Sequence, residues 1–208
     1  MTGIITQNVG RPSGLIKATV AGGGSMTLIK TLTASSSSTL SFVDGSSDVV
    51  LDSTYPIYVF KFINIHPATN NEGLSFNFSV DSGSNYNVAK TTTTPRAYHN
   101  ESDSQAALQY DDGQDLAQGT GFQRILRFIG NGNDESGSGE MFLFDPSSTT
   151  FIKHFIAKGN TYYNGDYSMN DLTAGYGNTT SAVDAVQFKM SSGNIDSGTI
   201  KLYGIKDS

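Results

Sequence analysis

The C-terminal stretch 182–205, AVDAVQFKMSSGNIDSGTIKLYGI, alternates apolar and polar side chains at a period of two. Successive side chains of a β-strand point to opposite faces, so this alternation is typical of a half-buried strand. It is clearest over residues 186–190 and again over residues 200–205, with the turn-forming sequence Ser-Ser-Gly-Asn at 191–194 between them. The stretch therefore predicts a C-terminal β-hairpin that pairs with strands from elsewhere in the chain.

Similar strand patterns, separated by Gly, Ser, Asn and Asp, occur along most of the 208 residues. Residues 57–65 are almost continuously apolar, which predicts a central strand covered on both faces. Residues 74–80 and 86–89 predict a second hairpin, and residues 104–117 predict a short helix. The other expected strands cover residues 26–33, 39–43, 122–129, 141–144 and 151–157.

The pattern as a whole predicts nine to eleven strands without βαβ alternation. Charged residues make up only 15% of the chain, which suits strands joined by many turns. The expected fold is an all-β antiparallel sandwich, jelly-roll-like, formed by a single domain over residues 26–208.

A flexible, Gly-rich N-terminal arm is expected over residues 1–25. It contains two pairs of adjacent aliphatic residues, Ile4-Ile5 and Leu15-Ile16, and the glycine run 22–24. Such a segment is either a poorly ordered terminus or an assembly arm that reaches a neighbouring subunit.

The charge and composition exclude several partners. The net charge is −6, so nucleic-acid binding is not expected. No apolar run approaches the roughly 18–20 residues of a membrane span, and the first residues lack a secretory-signal pattern, so a soluble chain without membrane insertion is expected. There is no cysteine, which excludes disulfides and thiolate metal ligands.

No motif in the sequence predicts catalysis. His66, His99 and His154 lie far apart in the sequence and in no metal-binding pattern, and there is no nucleophile elbow, P-loop or dinucleotide-binding glycine motif. A glycan-degrading enzyme with paired carboxylates stays open as the least favoured alternative, because sandwich folds host such sites. We expect no enzymatic activity and no cofactor.

Acidic loops raise the possibility of calcium binding, since carboxylate and amide oxygens are calcium ligands. Neither acidic group matches the twelve-residue calcium loop, and such loops are usually solvated turns, so no metal site is predicted. The candidate ligands are Asn131, Asn133, Asp134, Glu135 and Glu140 in one group, and Asp111, Asp112 and Asp115 in the other.

Four tyrosines stand among Asn, Asp and Gly in the segment 159–178: Tyr162, Tyr163, Tyr167 and Tyr176. The composition predicts an exposed loop for surface recognition, because tyrosine combines a rigid apolar ring with a polar tip. Its expected targets are sugars or protein surfaces. The absence of Trp disfavours a lectin, and the alternative is that these tyrosines pack in a subunit interface or over the end of the sandwich.

Residues 40–206 resemble a group of small β-sandwich proteins encoded among the virion genes of marine tailed bacteriophages. The resemblance is most specific at residues 62–67 and 200–205. It is carried by the stretches FKFINIHPATNNEGLSFNFSVDSGSNYNV, LFDPSSTTFIKHFIA, LTAGYGNTTSAVDAVQFKM and SGNIDSGTIKLYGIK. It implies a non-enzymatic structural component of the particle, at the capsid surface, the neck or the tail.

Two functions follow as expectations. The first is an exterior capsid decoration or fibre-like component, assembled in the host cytoplasm, that binds other virion proteins and forms a homo-oligomer, with a trimer favoured. The second is a carbohydrate-binding adhesin of the tail that recognises host surface glycans.

Overall fold

The computed structural model describes residues 26–206, and these residues form thirteen β-strands and no helix. Every pairing between the strands is antiparallel, which confirms the predicted fold class. The strands are β1 (Met26–Ser37), β2 (Leu40–Val43), β3 (Ile57–Pro67), β4 (Glu72–Ser79), β5 (Lys90–Thr93), β6 (Pro95–Asn100), β7 (Ala106–Tyr110), β8 (Gln123–Ile129), β9 (Gly137–Phe144), β10 (Lys153–Tyr163), β11 (Tyr167–Gly177), β12 (Ala185–Met190) and β13 (Ile195–Ile205).

The strands form two layers of a jelly-roll-like sandwich. The long layer has the order β1-β13-β3-β9-β10-β11, with β5 and β6 beside β11 and β7 beside β6, and the short layer has the order β8-β4-β12-β2. A single residue pair, Tyr163 with Ile129, joins the two layers. At the opposite side, residues 38–39 connect β1 to β2. The sandwich is therefore nearly closed on both sides.

Aromatic side chains fill the space between the layers, and Phe188 of β12 lies at their centre. Its ring centroid is 5.2 Å from that of Phe60 and 5.3 Å from that of Phe62, both on β3 in the opposite layer. It also lies 6.2 Å from Phe42 and 6.4 Å from Phe76 within its own layer. All five side chains are buried. The period-two alternation puts these rings on the inner faces, so one aromatic cluster holds both layers together.

The predicted central strand is confirmed as β3, which lies between β13 and β9. Tyr58, Val59 and Phe60 are all fully buried, so three consecutive residues are covered although their side chains point to alternate faces. Val59 is not part of the core between the layers. The outer face of β3 is therefore also covered at this point.

The predicted C-terminal hairpin is wrong, although both of its strands exist. β12 pairs with β4 and β2 in the short layer, and β13 pairs with β1 and β3 in the long layer. Both strands turn their apolar face to the same core, so Phe188 and Leu202 lie in facing layers. The turn at 191–194 crosses between the layers, and Ser191 is held beside β4 because its backbone N–H donates to the Gly73 carbonyl at 2.8 Å.

The predicted hairpin of residues 74–80 and 86–89 is also wrong. β4 pairs with β8 and β12, and residues 85–89 form no strand. The buried side chain of Asn77 explains the difference, because its Nδ2 donates to the carbonyls of Tyr86 at 2.7 Å and Thr120 at 2.9 Å. A polar side chain therefore holds this connection where a strand ladder was expected.

The helix predicted over residues 104–117 is likewise absent from the described chain. This segment contains β7, which pairs only with β6 at the end of the long layer. The Asn100 side chain starts the turn before it, since Oδ1 accepts from the backbone N–H groups of Ser104 and Gln105 at 3.0 and 2.9 Å. This side-chain turn and the pairing with β6 outweigh the high helix propensity of the alanines and leucines.

Candidate functional surfaces

The tyrosine-rich segment 159–178 is a long β-hairpin, so the expectation of an exposed loop is wrong. β10 and β11 pair along their whole length, and Tyr163 faces Tyr167 across a turn of three residues, 164–166. Tyr162 also lies at this tip, whereas Tyr176 pairs with His154 at the far end of the hairpin. Strand pairing therefore brings three of the four predicted tyrosines together and separates the fourth from them.

Four aromatic rings and a guanidinium group form a continuous cluster at this tip, which we call the tip cluster. The ring centroids of Phe128 and Tyr163 are 5.6 Å apart, those of Tyr163 and Tyr167 5.3 Å, and those of Tyr167 and Tyr98 5.8 Å. The guanidinium carbon of Arg96 lies 5.3 Å from the Phe128 ring and 5.8 Å from the Tyr98 ring. These are the distances of favourable aromatic and cation–π contacts.

Four members of the tip cluster, Arg96, Tyr98, Tyr163 and Tyr167, line a small cavity of about 200 Å³. Buried Met169 and exposed Gln105 also line it. The Tyr167 hydroxyl donates to Gln105 Oε1 at 2.8 Å, so the rim combines ring faces with hydrogen-bonding groups. Flat apolar faces beside an amide and a guanidinium are suited to the face of a sugar ring or to a peptide group.

Phe128 has an unusual backbone conformation, with φ of +57°. This left-handed region is strained for a bulky side chain, and such residues concentrate at functional sites. The conformation occurs near the end of β8, where the register with β4 is irregular. It places the Phe128 ring against Tyr163 and Arg96, which makes the tip cluster a candidate recognition site.

A buried ionic network lies next to the tip cluster and contacts its arginine, Arg96. Arg127 and Asp171 are both fully buried, and Asp171 accepts from Arg127 Nε at 2.6 Å and from the Arg127 backbone N–H at 2.7 Å. Burial raises the pKa of Asp171, while the charge of Arg127 opposes that rise. Asp111 lies 3.4 Å from Arg127 Nη1 and 3.5 Å from Arg96 Nε. The network thus fixes the position of the arginine in the tip cluster.

A polar hollow of about 280 Å³ lies next to the tip cluster, lined in part by His99, Asn160, Tyr162 and Ser168. Asn160 Nδ2 donates to the Ser168 hydroxyl at 2.9 Å, and the Tyr162 hydroxyl donates to Asp166 at 2.9 Å. The hydrogen bond to Asp166 raises the pKa of Tyr162 to about 12. The hydroxyl of Tyr162 is therefore already engaged, and Tyr163 and Tyr167 are the better candidates for ligand contact.

The outer face of the long layer carries a second candidate surface, which we call the outer apolar band. It consists of two adjacent rows that cross seven strands, β1, β13, β3, β9, β10, β11 and β5. The residues of each row are given in this strand order. The first row, at the end of the sheet where β1 begins and β13 ends, contains Met26, Ile205, Ile57, Phe144, His154, Tyr176 and Thr91. The second row contains Leu28, Tyr203, Val59, Phe142, Ile156, Ala174 and Thr93.

Exposure along the outer apolar band is uneven. Leu28 is 51% exposed and Ile156 43% exposed, whereas Val59 in the same row is fully buried beneath its neighbours. A groove of about 460 Å³ lies in the band, lined mainly by Phe144, Ile156, Tyr176 and the threonines of β5. The band therefore combines protruding aliphatic side chains with a depression that can accept them.

A charged row borders the outer apolar band. Lys61, Glu140 and Lys158 lie on neighbouring strands, and Glu140 forms ion pairs with both lysines, the one with Lys158 at 2.9 Å. Burial raises the pKa of Glu140, but the hydrogen bonds and charges of the two lysines outweigh it and leave the pKa below its usual value. An apolar centre with a charged rim is the usual composition of a protein interface.

The acidic residues considered as calcium ligands are divided among separate places in the fold. Among residues 26–206, no three His, Cys, Asp or Glu side chains are placed to hold a metal ion. Glu140 binds lysines, and Asp115 accepts from the Tyr110 hydroxyl. Three of the candidate calcium ligands, Asn133, Asp134 and Glu135, line one polar hollow of about 530 Å³.

The arm residues Ile4, Ile5, Leu15 and Ile16 lie outside the described residues. Within the described part of the chain no helix is long and apolar enough to cross a membrane. Comparison with known protein families, curated proteins and solved structures finds no match to this chain. The resemblance to phage virion proteins therefore stays a prediction.

Lys90 is an unusual residue of the interior, because it is fully buried without a carboxylate partner. Its Nζ donates to Asn77 Oδ1 and to the Val88 carbonyl. Burial lowers the pKa of Lys90 to about 7. The folded protein therefore releases this proton about three pH units below the usual range of an exposed lysine.

This lowered pKa predicts a pH-dependent stability. Between about pH 7 and pH 10 the unfolded chain binds the Lys90 proton and the folded chain does not, so the free energy of unfolding rises with pH by up to about 1.4 kcal/mol per unit. We expect Lys90→Met to remove most of this slope, as measured by urea unfolding at pH 7, 8 and 9, with a smaller part left to Lys153, whose pKa is also lowered by burial. Lys201→Met, on the sheet surface, is the control and should retain the slope. An unchanged slope in Lys90→Met would contradict the assignment.

Proposed function

We propose that this chain is a non-enzymatic structural protein of a tailed-bacteriophage virion, an exterior capsid decoration or fibre-like component that acts through protein–protein assembly. The outer apolar band is the observation that supports this best. Its six interstrand spacings of about 4.8 Å give a width of about 29 Å. Monomeric soluble proteins rarely expose continuous apolar patches larger than a few hundred Å², and larger patches mark interaction sites.

The proposed partner of the band is another copy of the chain. A sheet face is a broad, relatively flat surface, and repeated copies of it suit a closed cyclic assembly, with a trimer favoured. The charged row of Lys61, Glu140 and Lys158 lies where the polar rim of such an interface belongs. Other virion proteins then bind the assembled ring.

Ile156→Asp tests this proposal. It puts a charge in the middle of the outer apolar band without touching the core, because the side chain of Ile156 points outward. Burying an unpaired carboxylate in an interface is costly, so we expect the oligomer to dissociate to single chains of 22.2 kDa in light scattering.

The matched control for that experiment is Leu108→Asp. Leu108 is 80% exposed on β7, outside the band, so this variant should keep the mass of the unmodified protein. Circular dichroism establishes that both variants are folded. An oligomer that persists in Ile156→Asp would argue against the band as the interface.

The tip cluster favours a second candidate function, that of a carbohydrate-binding adhesin. Its support is the ring of aromatic faces around a cavity with the hydrogen-bonding groups of Gln105 and Tyr167 at the rim. The ring faces would stack on sugars of the host surface, and the polar groups would select hydroxyl positions.

This function predicts loss of glycan binding in Tyr163→Ala and Tyr167→Ala. Removal of a stacking ring from the centre of a binding site is expected to weaken binding about tenfold or more, in a titration with host surface polysaccharide. Tyr110→Ala is the matched control, because it removes the same side chain from an exposed position on β7, outside both the tip cluster and the outer apolar band. Equal affinity in all three variants would remove the tip cluster from consideration.

A further inference from the structure

The sequence of this protein contains a segment that could occupy the groove in the outer apolar band of another copy. We propose that the N-terminal segment of a neighbouring copy places Leu15 and Ile16 in this groove, against Phe144, Ile156 and Tyr176. This inference rests on the proposed assembly function and names the segment that makes the contact.

The composition of residues 1–25 matches the groove. The segment contains Leu15 and Ile16 as an adjacent aliphatic pair, and an apolar groove takes such side chains readily. It contains two basic residues, Arg11 and Lys17, and no Asp or Glu. Without those two positive charges, the net charge of −6 becomes −8 for the rest of the chain. A basic segment is therefore attracted to the acidic body of another copy.

The position of Met26 relates the segment to the band. Met26 is the first residue of β1 and belongs to the same cross-strand row as Phe144, His154 and Tyr176. The ten residues from Ile16 to Met26 span up to about 33 Å when extended. Four interstrand spacings, about 19 Å, separate β1 from β10 along this row. The extended segment is thus longer than the distance from β1 to the groove, so it can span that distance and still reach a neighbouring copy.

The direction of the chain favours a neighbouring copy over the same copy. Met26 pairs with Ile205, the last residue of β13, so β1 begins at the end of the sheet. If the chain before Met26 keeps the direction of β1, it passes this end of the sheet and reaches toward a neighbouring copy. In a ring, each copy would give one segment and receive one, which closes the assembly without a free groove.

Because the chain contains no cysteine, engineered cysteines test this arrangement directly. A chain with Leu15→Cys is co-expressed with a chain that carries Ala174→Cys, a substitution in the groove lining. A disulfide can then join Leu15→Cys to Ala174→Cys only between copies. We expect a species of twice 22.2 kDa on a non-reducing gel, lost on reduction. In the control, the second chain carries Leu108→Cys in place of Ala174→Cys. Leu108 is exposed outside the band, so this pair of chains should give much less of the disulfide-linked species.

Three results would overturn the inference. If both cysteines are put in one chain and the disulfide forms only within that chain, the segment binds its own groove. If no disulfide forms but light scattering shows an oligomer, the segment is not the occupant and the proposed assembly stands. If no disulfide forms and the protein is a monomer, the proposed assembly fails as well.

Discussion

Asp171→Ala is expected to lower the free energy of unfolding by about 3–5 kcal/mol, because it leaves the Arg127 guanidinium buried without its partner. Both side chains are fully buried, and the carboxylate accepts two hydrogen bonds of 2.7 Å or less from Arg127. The remaining contacts of the guanidinium are longer, with the Pro95 carbonyl at 3.2 Å and with Asp111 at 3.4 Å, so they replace the Asp171 carboxylate only in part. Urea unfolding followed by circular dichroism measures the loss.

An exposed ion pair provides the control for that measurement. His99 and Asp103 are in contact at 2.9 Å, but their side chains are 57% and 92% exposed. Exposed pairs contribute at most about 1 kcal/mol, so His99→Ala, which leaves the left-handed backbone of Asp103 unchanged, should change stability by less than that. A loss below about 1 kcal/mol in Asp171→Ala as well would mean that the buried pair does not hold β8 to β11.

Phe188→Ala is expected to cost about 3–5 kcal/mol of stability, since it removes the ring that contacts both layers of the sandwich. The variant loses the edge contacts with Phe60 and Phe62 and leaves a cavity between the sheets. Four other aromatic rings surround the site and cannot all move inward, so the cavity persists in part.

The same substitution at the surface isolates this effect. Phe151 is 71% exposed, and Phe151→Ala should change the free energy of unfolding by no more than about 0.5 kcal/mol. Equal losses in the two variants would show that burial between the layers is not what makes Phe188 important.

The strands could be predicted from the sequence far better than their partners. Alternation at a period of two is a local signal, and it locates β3, β4, β12 and β13 correctly. Pairing depends on which apolar faces meet across the core. β12 and β13 follow one another and resemble a hairpin, yet both must cover the same core, so they lie in opposite layers. No feature of residues 191–194 alone distinguishes these two outcomes.

The tip cluster could be predicted only in part. Tyr163 and Tyr167 were found because they are close in sequence, whereas Arg96, Tyr98 and Phe128 come from distant strands. Only the pairing of β6 with β11 and the bridge between β10 and β8 bring them together. The unusual backbone of Phe128 has no sequence signal at all, because any turn-forming residue would suit that φ better.

The outer apolar band did leave a signal in the sequence. Residues 57–60 and 141–144 are apolar without interruption, which means that both faces of β3 and β9 are apolar. This pattern predicts a strand covered on both sides. Leu28 and Ile156 in the band are partly exposed, so the proposed partner would complete the cover of the outer face.

Copies of this chain are proposed to assemble through the outer apolar band. The most direct test is the mass of the purified, unmodified chain by light scattering over a series of protein concentrations at neutral pH. Assembly predicts a discrete multiple of 22.2 kDa, with three copies favoured. A single species of 22.2 kDa at every concentration would contradict it.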